Sequence, residues 1–278
     1  FWEPLAIAVL NADAAEGAAS LLWPVVRETF ARGEAACRPR MAATGLSECF
    51  IDPAVAFLAA AGAPVRYKQR LQRLALTPTR VGALEFSSGE TVTIAPGDAV
   101  VLAVPPASAA ALLPGLSVPG ESRAIVNGHF VLPGPATRPT LLGLVGGMCQ
   151  WLFVRGDVAS VTISAADALC ERPGQELATA MWTEVRAALN LGPAPMPAHR
   201  IVKEKRATFA QTPTEIARRP GAKTAWENLV LAGDWTDTGL PATLEGSVRS
   251  GNTAAKAVVA AQQALDIPAF SKHQPAVT

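Results

Sequence analysis

The chain has 278 residues, half of them hydrophobic, with 24 lysines and arginines against 23 acidic residues. That is enough apolar material for a sizeable core, in one large domain or two interleaved ones, and a formal charge of +1 leaves no electrostatic footprint for nucleic acid. Three scattered histidines (His129, His199, His273) and four widely spaced cysteines (Cys37, Cys49, Cys149, Cys170), with no CxxC pair, argue against a metal centre or disulfide framework and for reduced, mostly buried thiols.

The chain opens Phe1-Trp2-Glu3-Pro4, with neither an initiator Met nor a signal-peptide pattern, and reads as a piece of something longer. Residues 1–60 are rich in Ala and Leu at helical spacing, as in Leu21, Leu22, Val25, Val26 and Phe30, which predicts two or three helices. Asp52 and Pro53 are expected as N-cap and first helical residue of a helix over 54–61, stopped by Gly62. The period then changes. Residues 65–76 predict one or two short strands, and 84–86 with 90–94 a hairpin turning at Gly89. The apolar run from Asp98 to Pro106 suits a strand buried on both faces of a sheet.

From about 114 to 205 the texture is helical and antiparallel. Trp151 to Val154, Arg155-Gly156-Asp157 and Val158 to Ser164 predict a hairpin. Pro173 is expected to open a helix with an apolar stripe at Leu177, Met181, Val185 and Leu189, ended by Gly192. The stretch from Pro193 to Pro197 reads as a linker back to the first sheet. The uncharged stretches 99–120 and 139–154 are broken by prolines or shorter than the ~20 residues a spanning helix needs, so no transmembrane helix is predicted. The last unit is a strand over 228–232, a Gly233-Asp234 loop, and a helix from Pro241 to about Leu265 carrying Leu244, Val248, Ala255, Val258, Ala261 and Leu265.

That unit is the part of the sequence richest in chemistry. A ligand reaches the backbone at the end of a parallel strand only where side chains are small, as at Gly233, and Asp234 is placed to accept from sugar or ribityl hydroxyls. Pro241 as first helical residue would leave the amides of Thr243, Leu244 and Glu245 free to donate to anionic or carbonyl oxygen. The bland reading is a turn followed by a well-packed helix.

Leu231-Ala-Gly-Asp-Trp-Thr followed by Leu240-Pro-Ala-Thr-Leu-Glu-Gly-Ser-Val-Arg-Ser-Gly resembles the C-terminal flavin motif of the amine oxidase and carotenoid desaturase superfamily. Phe1-Trp-Glu-Pro-Leu, Leu10-Asn11, Val154-Arg-Gly-Asp157, Lys205-Arg-Ala-Thr-Phe209 and Gln211-Thr-Pro213 resemble a narrower group, the squalene-associated FAD-dependent enzymes or hydroxysqualene dehydroxylases of hopanoid biosynthesis. The resemblance implies an α/β fold, the C-terminal part of an FAD-linked two-domain flavoprotein: an incomplete Rossmann-like FAD domain (62–113 and 206–265) interleaved with a mixed α+β substrate domain (1–60 and 114–205), and a tail at 266–278. It implies FAD as cofactor, held by Gly233, Asp234, Trp235, Pro241, Ala242, Thr243, Leu244, Glu245 and Gly246, with Leu71 near the adenine and the strand from Val101 to Pro105 returning to the cofactor. The family's opening GxGxxG loop is not in this sequence. The nearest glycines, Gly143, Gly146 and Gly147, precede a strand and not a helix. The missing N-terminal segment is therefore an expected partner, together with an apolar isoprenoid substrate, in the cytoplasm or peripherally on the inner face of its membrane.

Removing an allylic hydroxyl reductively needs an acid for the departing oxygen, and Asp157, Lys205, Arg206 and Glu245 are candidates. Their alternative readings are a solvated hairpin turn for Asp157 and a solvated strand face for Lys205 and Arg206, though one cation of that strand is expected to turn inward. Trp2, Phe130, Trp151, Phe153, Phe209 and Trp235 would line an apolar tunnel or simply fill the core. Carotenoid desaturation, amine oxidation and a non-catalytic lipid- or partner-binding role remain the alternatives, although a single tyrosine, Tyr67, argues against an aromatic cage for amines.

Overall fold

A computed structural model describes residues 1–136 and 139–264. In chain order the elements are α1 (Trp2–Leu10), α2 (Ala19–Glu28), α3 (Glu34–Cys37), α4 (Asp52–Ala60), β1 (Leu71–Leu76), β2 (Val81–Phe86), β3 (Thr91–Thr93), β4 (Val100–Leu102) and α5 (Pro106–Leu112). Then follow β5 (Ser122–Val131), β6 (Thr140–Gly143), β7 (Trp151–Arg155), β8 (Val158–Ile163), α6 (Asp167–Cys170), α7 (Gly174–Ala188), β9 (His199–Phe209), α8 (Pro213–Ile216), β10 (Leu229–Leu231) and α9 (Leu244–Ala264). They gather into two compact units, each built from two segments: Phe1–Tyr67 with Glu121–Ile216, and Lys68–Gly120 with Ala217–Thr278.

The first unit is an antiparallel sheet in the order β6-β7-β8-β5-β9. Val126 and Phe130 of β5, Leu152 and Val154 of β7, and Ala159, Val161 and Ile163 of β8 alternate onto one face. There they meet Leu177, Ala178, Met181, Trp182 and Val185 of α7 in the main core. Gly128 is required on that face, because a Cβ there would lie 2.5 Å from the Met181 sulfur. The β7–β8 hairpin turns at Gly156, whose φ is +55°. At the end of α7 it is Asn190 (φ +54°), not Gly192, that takes the left-handed stop, as the Leu191 amide returns to the Arg186 carbonyl at 2.9 Å. The Pro193–Pro197 stretch leads into β9, which pairs with β5 of the same unit up to Phe209; residues 206–216 thus pack with this unit.

In the N-terminal helical region, Asp52 is the first residue of α4 and not its cap. A π-type turn, Ser47–Ile51, runs straight into α4, and the Asp52 side chain caps nothing. Gly62, at φ +75°, does end α4, with the Ala63 amide on the Leu58 carbonyl at 2.9 Å. Asn11, left-handed at φ +47°, ends α1 and ties it to the sheet: its amide donates to Thr208 Oγ1 (3.0 Å) and the Arg123 carbonyl (3.3 Å), and its oxygen accepts from Ala165 N (2.7 Å). Gln211 adds a bond to the Leu10 carbonyl at 2.6 Å.

The second unit holds a three-stranded antiparallel sheet, β1-β2-β3, and a parallel pair, β10-β4. The β2–β3 hairpin turns through Gly89 at φ +87°. Strand pairing begins only at Leu71, so 65–70 is not strand. Asn228 joins the two sheets by exchanging both of its amide groups with the Val81 backbone, at 2.8 and 3.0 Å. The strand β4 is not buried on both faces: Val100 and Leu102 are buried, while Val101 is 47% exposed.

Candidate functional site

Strand β10 runs parallel to β4 in the register Leu229 with Val100 and Leu231 with Leu102, and all three of its side chains are buried. Two residues beyond its end stands Gly233, whose φ of +140° only glycine adopts readily and whose missing Cβ would fall 2.5 Å from Trp235 Nε1. The Gly233 amide donates to Ser250 Oγ at 2.7 Å, fixing the strand end to α9. Trp235, 2% exposed, donates its indole N–H to the Val104 carbonyl at 2.9 Å and so ties the loop to the segment after β4.

The loop from 234 to 240 is held from below by Arg219. Its guanidinium donates to the carbonyls of Leu240 (2.9 Å), Asp234 (3.0 Å) and Thr236, and to Thr238 Oγ1 (3.1 Å). Arg219 is 8% exposed, and that burial pulls its pKa below the ordinary arginine value, against the opposing pull of Asp237 and Asp234. Burial likewise raises the pKa of the Asp234 carboxyl, opposed by Arg219 and by the backbone N–H groups of Trp235 and Asp234 itself.

The helix α9 begins at Leu244, three residues after Pro241, so Pro241 is not its first residue. Thr243 is the N-cap: its Oγ1 accepts from Gly246 N at 3.1 Å, and its carbonyl takes the first intrahelical bond, from Ser247 N at 3.0 Å. A Cβ on Gly246 would stand 2.8 Å from the Pro241 carbonyl and 3.8 Å from the Asp234 Cβ. The helix start therefore lies directly beside Asp234, with the amides of Leu244 and Glu245 preceding the first helical bond and the dipole favouring an anionic oxygen there. The face α9 buries is its small one, Gly246, Ser250 and Ala254, while Leu244 and Val248 are 65% and 58% exposed. Leu265 lies outside the described residues.

The structure thus brings together Gly233, Asp234, Pro241, Ala242, Thr243, Leu244, Glu245 and Gly246, with Trp235 buried beneath them as a post. Leu71 is not among them. It opens β1, whereas the bonds of Trp226 and Asn228 reach the other end of that hairpin, at Thr77 and Val81, about 17 Å along the strand. Asp157, Lys205 and Arg206 form no cluster. Asp157 sits in the β7–β8 turn, next to the pair Val158–Val131, and Lys205 follows Glu204, which pairs with Ile125 some 20 Å along β5. Lys205 is exposed and paired with Glu171 at 3.0 Å, which raises its pKa. The cation that turns inward is Lys203, which caps α6 by donating to the Cys170 carbonyl at 2.9 Å and to that of Arg172. Glu245 is engaged with Arg249 at 2.7 Å. Among the described residues no group of His, Cys, Asp and Glu could hold a metal ion, and no helix is long and apolar enough to cross a membrane.

Arg219 is the residue sequence reasoning missed; Ser250 and Asn228 lie within the motif and strand read from the sequence, but their bonds to Gly233 and Val81 were not expected. Arg219 stands in Arg218-Arg219-Pro220, which reads as solvated charge; the only signal was its place before a proline ahead of a buried strand.

Residues 3–259 match the family described as flavin containing amine oxidoreductase. The chain is 52% identical over 261 residues to a hydroxysqualene dehydroxylase of Rhodopseudomonas palustris, covering 94% of this chain and 62% of that protein. It is 48% identical over 252 residues to one of Sinorhizobium fredii, covering 91% and 60%. It spans about three-fifths of the length of these curated relatives. An oxidoreductase from Methanosarcina mazei shares the fold, with a TM-score of 0.62 at 10% identity over 91% of this chain and 63% of that one.

Proposed function

The chain belongs to the flavin-containing amine oxidoreductase family, and from that premise we propose that it is the larger part of an FAD-dependent dehydroxylase that converts hydroxysqualene to squalene. One observation carries this reading: Gly233, Asp234 and Gly246 meet at the end of a parallel strand, in a chain 52% identical to a hydroxysqualene dehydroxylase. The residues fit a flavin nucleotide. Asp234 would accept from a ribityl hydroxyl, the Leu244 and Glu245 amides would donate to anionic or carbonyl oxygen, and the absence of side chains at Gly233 and Gly246 would let the cofactor approach.

When bound, the flavin supplies hydride. The protein's part is orientation, an apolar surface for the isoprenoid and a proton for the oxygen that leaves. The unit of Lys68–Gly120 and Ala217–Thr278 is the cofactor-binding part in this reading, and the five-stranded unit the substrate-binding part. The ADP half of FAD would be held by the part of the relatives' length that this chain does not span. An apolar substrate dissolved in a bilayer suits an enzyme working peripherally at a membrane surface, which this reading takes to be the inner face of the cytoplasmic membrane.

The test is expression of the complete reading frame. The purified protein is expected to be yellow and, once reduced, to convert hydroxysqualene to squalene, followed by mass spectrometry. Flavin-loaded protein that yields no squalene but desaturates phytoene would overturn the dehydroxylase reading.

A further inference from the structure

The segment from Leu46 to Lys68 folds without burying itself. The π-type turn Ser47–Ile51 and α4 form one continuous helical piece. From 46 to 68 only Val55 is half-buried, and every other residue is exposed. Phe57 is 72% exposed, Phe50 61% and Ile51 56%. The main core of the same unit draws no residue from this segment, which is tied down before the turn by Arg155 Nη1 donating to the Thr44 carbonyl at 2.7 Å. An isolated helix this short is marginal in water. Nor does α4 offer water a broad polar face, since Ala54 to Ala60 is an unbroken apolar run that covers its whole circumference. A helix apolar all round is one that other matter surrounds.

Charge and length decide what that matter is. At 1.5 Å per residue α4 rises about 14 Å, half of what a bilayer core demands. A helix lying in a lipid surface carries Lys and Arg on its polar side, whereas residues 41–65 hold no cation and two acids, Glu48 and Asp52. The surrounding matter is therefore protein. Of the eighteen large hydrophobic side chains exposed among the described residues, twelve lie in 1–67, a concentration that one body of protein would cover and that scattered surface residues do not show. The chain covers only 62% of the length of the Rhodopseudomonas palustris protein, so relatives carry such a body in the same molecule. Tethering holds it at an effective concentration on the order of millimolar, ahead of any second copy.

We propose that Leu46, Phe50, Ile51, Phe57 and Leu58 form the docking surface for the part of the relatives' length that this chain does not span. The proposal rests on the chain being part of a protein of that length, and not on the dehydroxylation reading. The covering segment meets α4 with aliphatic and aromatic side chains and brings donors to Glu48 and Asp52, because a carboxylate is buried only with a partner. The two parts of the protein are then joined by an apolar core of their own, and their packing does not wait for the flavin.

The test replaces Phe57 by p-benzoylphenylalanine in the full-length protein, irradiates it with and without FAD in the presence of phosphatidylglycerol vesicles, and maps the cross-links by mass spectrometry. The expected result is a dominant cross-link to a peptide outside the 278 residues, in both the flavin-free and the loaded protein. Cross-linking to phospholipid, to the same segment of a second copy or to a residue within the 278 overturns the proposal, and so does no cross-link, which leaves α4 in water. A cross-link that forms only with FAD overturns the flavin-independent packing. If that protein does not fold, the label is carried at Leu58 instead. In full-length Phe57→Asp, amide exchange over residues 54–60 is expected to be at least tenfold faster than in the wild type, and an unchanged rate overturns the docking surface. Protein that cross-links as expected yet forms no squalene overturns only the dehydroxylation reading.

Discussion

Arg219 satisfies three carbonyls and a hydroxyl of the 234–240 loop from a position that is 8% exposed, so its loss strands several buried acceptors at once. Arg219→Ala is expected to cost about 3 kcal/mol of stability, read by denaturant unfolding, and to weaken flavin binding at least tenfold in fluorescence titration. Arg219→Lys should recover little, because one ammonium does not reach the span of a planar fork. This residue was illegible in the sequence, since an arginine committed to backbone acceptors leaves no partner residue type to search for. Gly233 and Asp234 were legible, because a strand that stops on a small residue and an acid is a local pattern. Asp234 also has a pH signature. Its carboxyl has a raised pKa in the folded protein, so the native state binds more protons than the unfolded state in the window just above the ordinary aspartate range. Stability contributed by the protonated form is therefore present at low pH and lost as pH rises through the raised pKa. Asp234→Asn should flatten that fall in a denaturation series across the window while weakening flavin binding. A variant as steeply pH-dependent as the wild type would assign the slope to another group.

At the scale of elements, periodicity found the strands and helices and misplaced several ends, and the misplacements share a cause. Pro241 has a favourable first-turn geometry, but Thr243 supplies the oxygen that caps Gly246, so the helix starts at the cap. Asn190 displaces Gly192 as the stop of α7 because left-handed backbone is open to asparagine and comes earlier in the chain. Of the apolar stripe expected on α9, Val258 packs against the core while Leu244 and Val248 are exposed, because close packing on β10 selects the small face. Leu244 and Val248, together with Val101 on the open side of β4, form the surface that we propose the remaining length of the relatives covers. Val248→Asp should therefore change the unfolding midpoint of the 278-residue chain little, within about 0.5 kcal/mol, and destabilise the full-length protein by about 2 kcal/mol or more. Equal effects in the two would show that α9 keeps this face in water. The paired motifs Leu10-Asn11 and Gln211 show the reverse case. Nothing local explains them, and the structure does: they meet across 200 residues to clamp α1 to the sheet.

At the scale of the whole molecule, the sequence alternates between two textures because each unit is assembled from two separated segments, and alternation is visible without any contact being known. What alternation does not reveal is which contacts a ligand would lose in this chain. The Gly233–Asp234–Thr243 site offers one carboxylate acceptor and the two first-turn amides of α9, a set suited to the flavin end of the cofactor. In the proposed reading the adenosine and its adjoining phosphate are held by the part of the relatives' length that this chain does not span. If that outside part makes three charge-assisted hydrogen bonds to the cofactor, their loss at about 1.5 kcal/mol each amounts to about 4.5 kcal/mol, on the order of a thousandfold or more in affinity. FAD should accordingly bind the 278-residue chain about a thousand times more weakly than the full-length protein, in titrations following flavin fluorescence. FMN, which has no adenosine to place, should show a much smaller difference between the two. Equal FAD affinity would mean that these residues hold the whole cofactor, and the division of the site between this chain and the rest of the protein would fall.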